Sequence, residues 1–322
     1  MENIVANKRQ VQTTSGDGKK EKIKPHAKGF NQISIGSNIV LNAIFLITVV
    51  ICFAPVLLVV IISITDEKSI YKNGYSFFPE EVSLKAYQYL LKGGSLILNA
   101  YGVSIFVALL GTVLALLCIT LYAYPLSRSS FKQKNIFSFI VFFTMIFGGG
   151  LVPWVMVYSQ LVPIVNTVWV LIIPYLMNAW YVIIMRTFIK TTVPEAIIES
   201  AKIDGAGEFR TLFTIVLPLC KAGLATIGLF CMLGYWNDWY LPLLFITDRK
   251  VYNIQYLMYQ MLSNIQFLSN TSVGSASEIA ASLPSEGARM AVAVLSIGPI
   301  IFAYPFFQGY FVKGLTIGAV KG

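Results

Sequence analysis

The sequence predicts an all-α integral membrane protein with six transmembrane helices and both termini in the cytoplasm. Three observations lead there. Of 322 residues, 56% are hydrophobic and only 12% charged, where soluble domains carry about 25% charged residues. Asp, Glu, Lys and Arg are spaced so that several charge-free runs exceed the roughly 20 residues a helix needs to cross a bilayer. The cations also divide unevenly between alternate connecting segments. So apolar a composition, with mean hydropathy +0.71, excludes a soluble enzyme, a disordered chain and a secreted disulfide scaffold.

Residues 1–38 are polar and hold seven Lys and Arg. The tail is too long, and the apolar run after it too complete, for a cleaved signal peptide. It reads as a disordered cytoplasmic tail, either solvated or touching anionic lipid, ahead of a permanent membrane domain over 39–322. The first spans lie near 39–64 and 96–123. Residues 135–185 give 51 positions without charge, enough for two spans near 136–158 and 163–185. Their turn falls at Gly148–Pro153 or between there and Pro163. A fifth span, near 222–245, carries Asp238, and a sixth lies near 290–312. The ten-residue alternation of a β-barrel strand is absent from the pattern.

With the N-terminus inside, the cytoplasmic segments 1–38, 124–135, 186–221 and 313–322 carry 17 of the 24 Lys and Arg, and the outer segments 7. The net charge of +9 therefore records orientation and calls for no nucleic-acid partner. The four cysteines (Cys52, Cys118, Cys220, Cys231) lie in apolar stretches without CxxC spacing, and His26 is the single histidine. No metal site, disulfide framework or Ser-His-Asp set is expected from them. Asp66, Glu67, Glu80 and Glu81 in the first outer loop read as solvated carboxylates rather than a glycoside-cleaving pair.

The polar segment 186–221 reads as two short helices joined by a turn. Thr192 can cap the first, with Pro194 in its first turn and Glu195 at its positive end. Ile197, Ile198, Ala201 and Ile203 form an apolar side, and Glu199 and Lys202 lie off it. Asp204-Gly205 supplies the turn, Gly205 being free to take positive φ. A second amphipathic helix over about 207–215 places Phe209, Leu212 and Phe213 on one side. From pattern alone, the segment is either a hairpin lying on the membrane or bundle, or a docking element.

The spacing Glu199-Ser200-Ala201, three residues, Gly205, nine residues, Ile215-Val216-Leu217-Pro218 resembles the EAA loop of ABC-importer permeases. The departure is Ser200, where Ala is usual. Phe147–Pro153, Ile184–Phe188, Trp236-Asn237-Asp238-Trp239, and the ending Tyr304–Gly314 with Gly318–Gly322 resemble the maltose-type carbohydrate branch. The likeness spans roughly 37–322 and is strongest to the subgroup taking up complex oligosaccharides and polysaccharide fragments.

The resemblance implies a type I importer permease in a bacterial cytoplasmic membrane, paired with a second, homologous permease, two ATPase subunits and an extracytoplasmic solute-binding protein. It implies that Glu199, Ser200, Ala201, Asp204, Gly205, Ala206, Phe209, Leu212 and Pro218 belong to an ATPase-coupling loop. ATP and Mg would sit in the partner ATPase, with no cofactor on this chain, which lacks GxxxxGK[ST] and catalyses nothing itself. The C-terminal residues 317–322 either reach between ATPase subunits or fray, and the outer segment 247–289 either meets the binding protein or covers the bundle.

Sugars are held by ring stacking and by hydrogen bonds to hydroxyls. Tyr235, Trp236, Asn237, Asp238 and Trp239 are the candidates for a substrate path, since a carboxylate within a span usually faces a cavity or a partner. An interfacial aromatic belt is the competing reading of the same rings, as it is of Trp154, Tyr158 and Trp180. An ABC permease for peptides or amino acids would carry the same loop. An ion-driven transporter would need more buried charge than Asp238, and a membrane enzyme would need a polar catalytic group that does not stand out.

Overall fold

The structure, a computed structural model, describes residues 35–92, 94–270 and 285–302, with positions 305, 308 and 309. Most of the basic tail, the Ser/Ala-rich stretch from 271 to 284 and most of the ending from Tyr304 to Gly322 lie outside the described residues. The chain divides into two units, residues 1–53 and 54–322. In the first, residues 35–53 begin α1 (Ile35–Ser63), an apolar helix of 29 residues. All further elements belong to the second unit.

They are α2 (Glu67–Asn73), α3 (Lys85–Leu91), α4 (Gly94–Ser127), α5 (Lys134–Ile146), α6 (Leu151–Met156), α7 (Ala179–Thr192), α8 (Glu195–Ile203), α9 (Glu208–Thr211), α10 (Leu217–Leu219), α11 (Lys221–Trp236), α12 (Tyr240–Phe245), α13 (Ile254–Asn270) and α14 (Ser285–Ile297). Among the described residues, three helical stretches are long and apolar enough to cross a membrane on their own. The number rises to six if each of three bent helix pairs counts as one span.

The bends are where the structure departs from straight expected spans. In the region expected to span 136–158, α5 is followed by Leu151–Leu161 at 115°. Three consecutive glycines favour no helix, and Gly150 turns the chain at φ +87°. In the region of 163–185, a 3₁₀ stretch over Val168–Tyr175 meets α7 at 53°. In the region of 222–245, α11 is entered at 85° from Glu208–Leu219 and breaks before α12. In the region of 290–312, α14 runs on as a 3₁₀ stretch to Phe302.

The core sits around α4, which packs chiefly on α11 and α7. Its buried face reads Ala100, Ser104, Ala108, Gly111, Ala115, Ala123. Small residues along one face let helices approach closely where there is no water to drive them together. At Gly111 the need is explicit, because a Cβ there would lie 2.8 Å from the Tyr235 ring. The opposite face of α4 exposes Leu98, Leu109 and Val113, the apolar surface suited to lipid.

Two further features differ from expectation. The segment 247–289, read as a long loop, contains the 17-residue α13, packed against α14 and α4. Ile254, Leu257, Met258 and Ile265 give it a buried face at helical spacing. Asn253 caps it, its Oδ1 accepting from Tyr256 N at 3.0 Å, while Ser104 Oγ accepts from Ile254 N at 2.8 Å.

Asp66 and Glu67 are not solvated carboxylates. Asp66 is buried, caps α2 by accepting from Lys68 N at 3.1 Å, and meets Lys85 Nζ at 3.3 Å. That backbone hydrogen bond, and then Lys85, hold its pKa below the ordinary value. Glu67 reaches across to α14 and accepts from Glu286 N at 3.0 Å, Gly287 N at 3.1 Å and Ser285 Oγ at 3.3 Å. Tyr75 OH adds a 2.6 Å bond to Glu286.

Candidate functional site

The break between α11 and α12 opens a cavity of about 460 Å³. Asp238 makes the break orderly. Its Oδ1 accepts from Tyr240 N at 3.0 Å and Leu241 N at 3.2 Å, so the carboxylate caps α12, and Tyr175 OH lies 3.4 Å away. Its backbone oxygen accepts from the Asn253 amide. Oδ2 has no partner among the described residues.

The expected cluster separates into two groups. Tyr235 and Trp236 are buried ties: Tyr235 OH donates to Ile172 O at 3.1 Å, and Trp236 Nε1 to Ser296 O at 3.1 Å. Asn237 and Trp239 are exposed and line the cavity, as do the buried Tyr235 and Asp238, and Trp239 stacks on Tyr259 at 4.7 Å between ring centroids. The opposite wall supplies groups that the sequence reasoning missed: Tyr175, Asn178 and Tyr181, the last stacked on Phe230 at 6.2 Å. Pro174 and Asn178 were the available signal, since Pro ends a helix and Asn begins one; Asn178 Oδ1 accepts from Trp180 N at 2.9 Å. Asp238 is the sole charged residue in this lining, beside tyrosines, amides and rings. Trp154 and Tyr158 pack their rings on Phe245 at 5.5 and 6.1 Å, whereas Trp180 is exposed.

The polar segment forms the expected hairpin with different details. Thr192 ends α7 rather than capping α8, and Pro194, in extended backbone, occupies the cap position. The end of α8 explains the spacing of its motif. Ala206 N donates to Ala201 O at 2.9 Å and Gly205 N to Lys202 O at 3.0 Å, with Gly205 at φ +78°. These two bonds around a left-handed residue are the Schellman termination, which favours glycine at this position. Ser200 turns its hydroxyl back to Ala196 O at 2.9 Å, so it replaces Ala without disturbing the helix.

After Gly207 the chain is helical to Leu219, with a π-type stretch over Leu212–Val216. Pro218 lacks an N–H and its ring crowds the carbonyl four residues back; the wider turn removes that conflict. Phe209, Leu212 and Phe213 do not share one side as expected. Leu212 is 2% exposed and faces the core, while Phe209 is 72% exposed and Phe213 also points outward. In α8, Ile198 and Ala201 are buried, but Ile197 is exposed and Ile203 reaches 87%. The hairpin therefore carries an outward apolar set on a polar segment.

Its rim is braced by Glu208, which pairs with Lys202 Nζ at 2.6 Å and accepts from Tyr124 OH at 2.7 Å. Beside Phe209 lies a groove of about 520 Å³, walled by Tyr124, Pro125 and Phe131.

No protein-family model matches the chain. Protein LplC of Bacillus subtilis is 35% identical over 269 residues, covering 83% of this chain and 89% of that protein. The polygalacturonan/rhamnogalacturonan transport system permease protein YtcP of Bacillus subtilis is 34% identical over 274 residues, covering 84% and 93%. Among solved structures, a bacterial ABC transporter involved in the import of the acidic polysaccharide alginate superposes with a TM-score of 0.72 at 26% identity. It covers 87% of this chain and 99% of that chain.

Proposed function

Because the chain belongs to the permease subunits of sugar-importing ABC transporters, we propose that it forms half of the translocation path of an ATP-driven oligosaccharide importer, working through the hairpin over 186–221. The chain is a non-catalytic transport subunit, and ATP is hydrolysed by a separate one.

The outward apolar set of Ile197, Ile203, Phe209 and Phe213 carries this reading. Large apolar side chains held outward on a charged hairpin suit a partner's groove, where aromatic anchors dominate binding. The partner is the ATPase, which holds ATP and Mg; this chain binds no cofactor of its own. The Schellman turn at Gly205 fixes the angle between α8 and α9, so a push on Phe209 is carried through the bend at Leu212–Val216 to α11 and the cavity at its far end. Glu199, Asp204 and Arg210 supply exposed charges around the anchor.

At the cavity, Asn237 and Trp239, with Tyr175, Asn178 and Tyr181, offer the rings and hydroxyl partners a saccharide needs. Asp238 and Tyr235 line the same wall, while Trp236 lies outside the lining and ties α11 to Ser296 O. Six spans with both termini inside, a second permease, two ATPase subunits and an extracytoplasmic binding protein complete the assembly in the bacterial cytoplasmic membrane. The sugars named for YtcP and for the alginate transporter favour oligosaccharides over peptides or amino acids.

The test is co-purification of the tagged chain in mild detergent with identification of its companions. A P-loop ATPase and a second permease should come down with it. Phe209→Asp should lose the ATPase at least tenfold while the chain remains in the membrane. Full retention of the ATPase by Phe209→Asp and by Ile203→Asp would remove the hairpin from the coupling role.

A further inference from the structure

Where the end of α4, the start of α5, α7 and the start of α8 meet, they enclose a second, smaller cavity of about 250 Å³. Four cations line it: Arg128, Lys134, Arg186 and Lys190. Glu195 is the one carboxylate among the lining residues, leaving a net charge of +3. Glu195 is engaged already, accepting from Ser129 Oγ. That hydrogen bond first, and the charges of Arg128 and Lys134 after it, hold its pKa below the ordinary carboxylate value.

Arg128 is the unusual member. It is 7% exposed, and its buried Nε has no hydrogen-bond partner among the described residues. Arg128 lines both this cavity and the groove beside Phe209, so its guanidinium stands between the two. We propose that this cavity binds a phosphate group, supplied by the headgroup of an anionic phospholipid or by a soluble phosphate compound.

Charge favours phosphate. The cavity, at about 250 Å³, has room for a phosphate and part of the group that carries it, and arginines with ammonium neighbours are a suitable complement of a phosphate. Arg128 lies just past the end of the apolar helix α4, Lys134 is the first residue of α5, and Arg186 and Lys190 lie in the last two turns of α7. Cations at that level, between helices on a basic face, meet the lipid phosphates of the cytoplasmic leaflet. Because Ser129 and Glu195 close one wall, an occupant would also fix the entry to α8, and with it the aim of the hairpin.

The test uses the importer purified in mild detergent, followed by native mass spectrometry with phosphatidylglycerol or phosphatidylcholine added, and by retention of radiolabelled inorganic phosphate without lipid. Phosphatidylglycerol should be retained over phosphatidylcholine, and the pair Arg128→Gln with Lys190→Gln should reduce that retention about tenfold. Lys132→Gln, an exposed cation outside the cavity, should leave it unchanged. Lys190→Gln alone, at an exposed position, keeps the test informative if the buried Arg128 variant fails to fold. Retention of inorganic phosphate, lost in the same variants, supports the site and assigns a soluble source. Three results overturn the proposal: equal retention of both lipids with no bound phosphate, equal effects of Lys132→Gln and the cavity variants, or loss of the ATPase subunit with phosphate and lipid binding intact, which would assign the cations to protein docking.

Discussion

The break between α11 and α12 and the hairpin over 186–221 both interrupt the helical run of the chain, yet they use their apolar residues in opposite ways. At the break, Tyr235 and Trp236 turn inward and satisfy their polar atoms on Ile172 O and Ser296 O. At the hairpin, Phe209 and Ile203 turn outward and touch little of their own chain. The first region spends its aromatic residues on holding helices in place, so that Asn237 and Trp239 can stand at a fixed spot on a cavity wall. The second leaves its largest side chains exposed. A ring in a transporter motif is thus no guide to contact with cargo until its partners are known.

The largest expected effect breaks the comparison inside the Trp-Asn-Asp-Trp motif itself. Trp236→Ala should destabilise the protein by about 3–5 kcal/mol, the range for a buried aromatic. Trp239→Ala should cost far less stability and act on transport instead. Thermal unfolding in detergent, set beside sugar uptake, reads both, and equal stability losses would erase the division between ties and lining.

Next in size is Gly205. Valine at φ +78° adds strain of about 1–3 kcal/mol, whereas asparagine tolerates the left-handed region. Gly205→Val should uncouple ATPase activity from transport, and Gly205→Asn should keep most of the coupling. Equal behaviour of the two would show that backbone conformation at the turn does not matter.

The smallest effect concerns the brace. Lys202 and Glu208 are about half exposed, at 41% and 53% of their side chains, so solvent screens the pair. A double-mutant cycle with Lys202→Ala and Glu208→Ala should return a coupling of about 0.2–1 kcal/mol. A much larger value would mean that Tyr124 and the pair act as one network with α4.

Much of this was legible from residues alone, and the failures have physical causes. Charge-free runs located the apolar helices because burying a charge in lipid is prohibitive. The hairpin motif was legible because its spacing records a hydrogen-bond geometry, Ala206 to Ala201 around Gly205, which varies little. The bend after α5 falls at the glycines of the expected Gly148–Pro153 turn, whereas the bend at Leu176–Asn178 was not placed, since a run apolar throughout gives no period from which to read direction. Helix α13 was readable and missed: Ile254, Leu257, Met258 and Ile265 recur at helical spacing after a capping Asn253, but the segment was judged by its length. Which faces of Phe209 and Leu212 turn inward could not come from the pattern, because α9 is too short to have an apolar stripe and the π stretch after it shifts the phase. Asp66 and Glu67 looked solvated because their partners, the N-termini of α2 and α14, are backbone groups that no residue type reveals.

The grip of Glu67 on α14 also has a consequence in time. The two ends of the Glu67–Glu286 bond are separated by 219 positions. At about 5–20 residues per second, a ribosome makes Glu67 on the order of ten to forty seconds before the backbone donors it holds. Through that interval the start of α2 is held by Lys85 through Asp66, while Glu67 waits for its backbone donors. The arrival of α14 is therefore the event that completes this contact, and a ribosome stalled before residue 285 would leave Glu67 without the donors it holds.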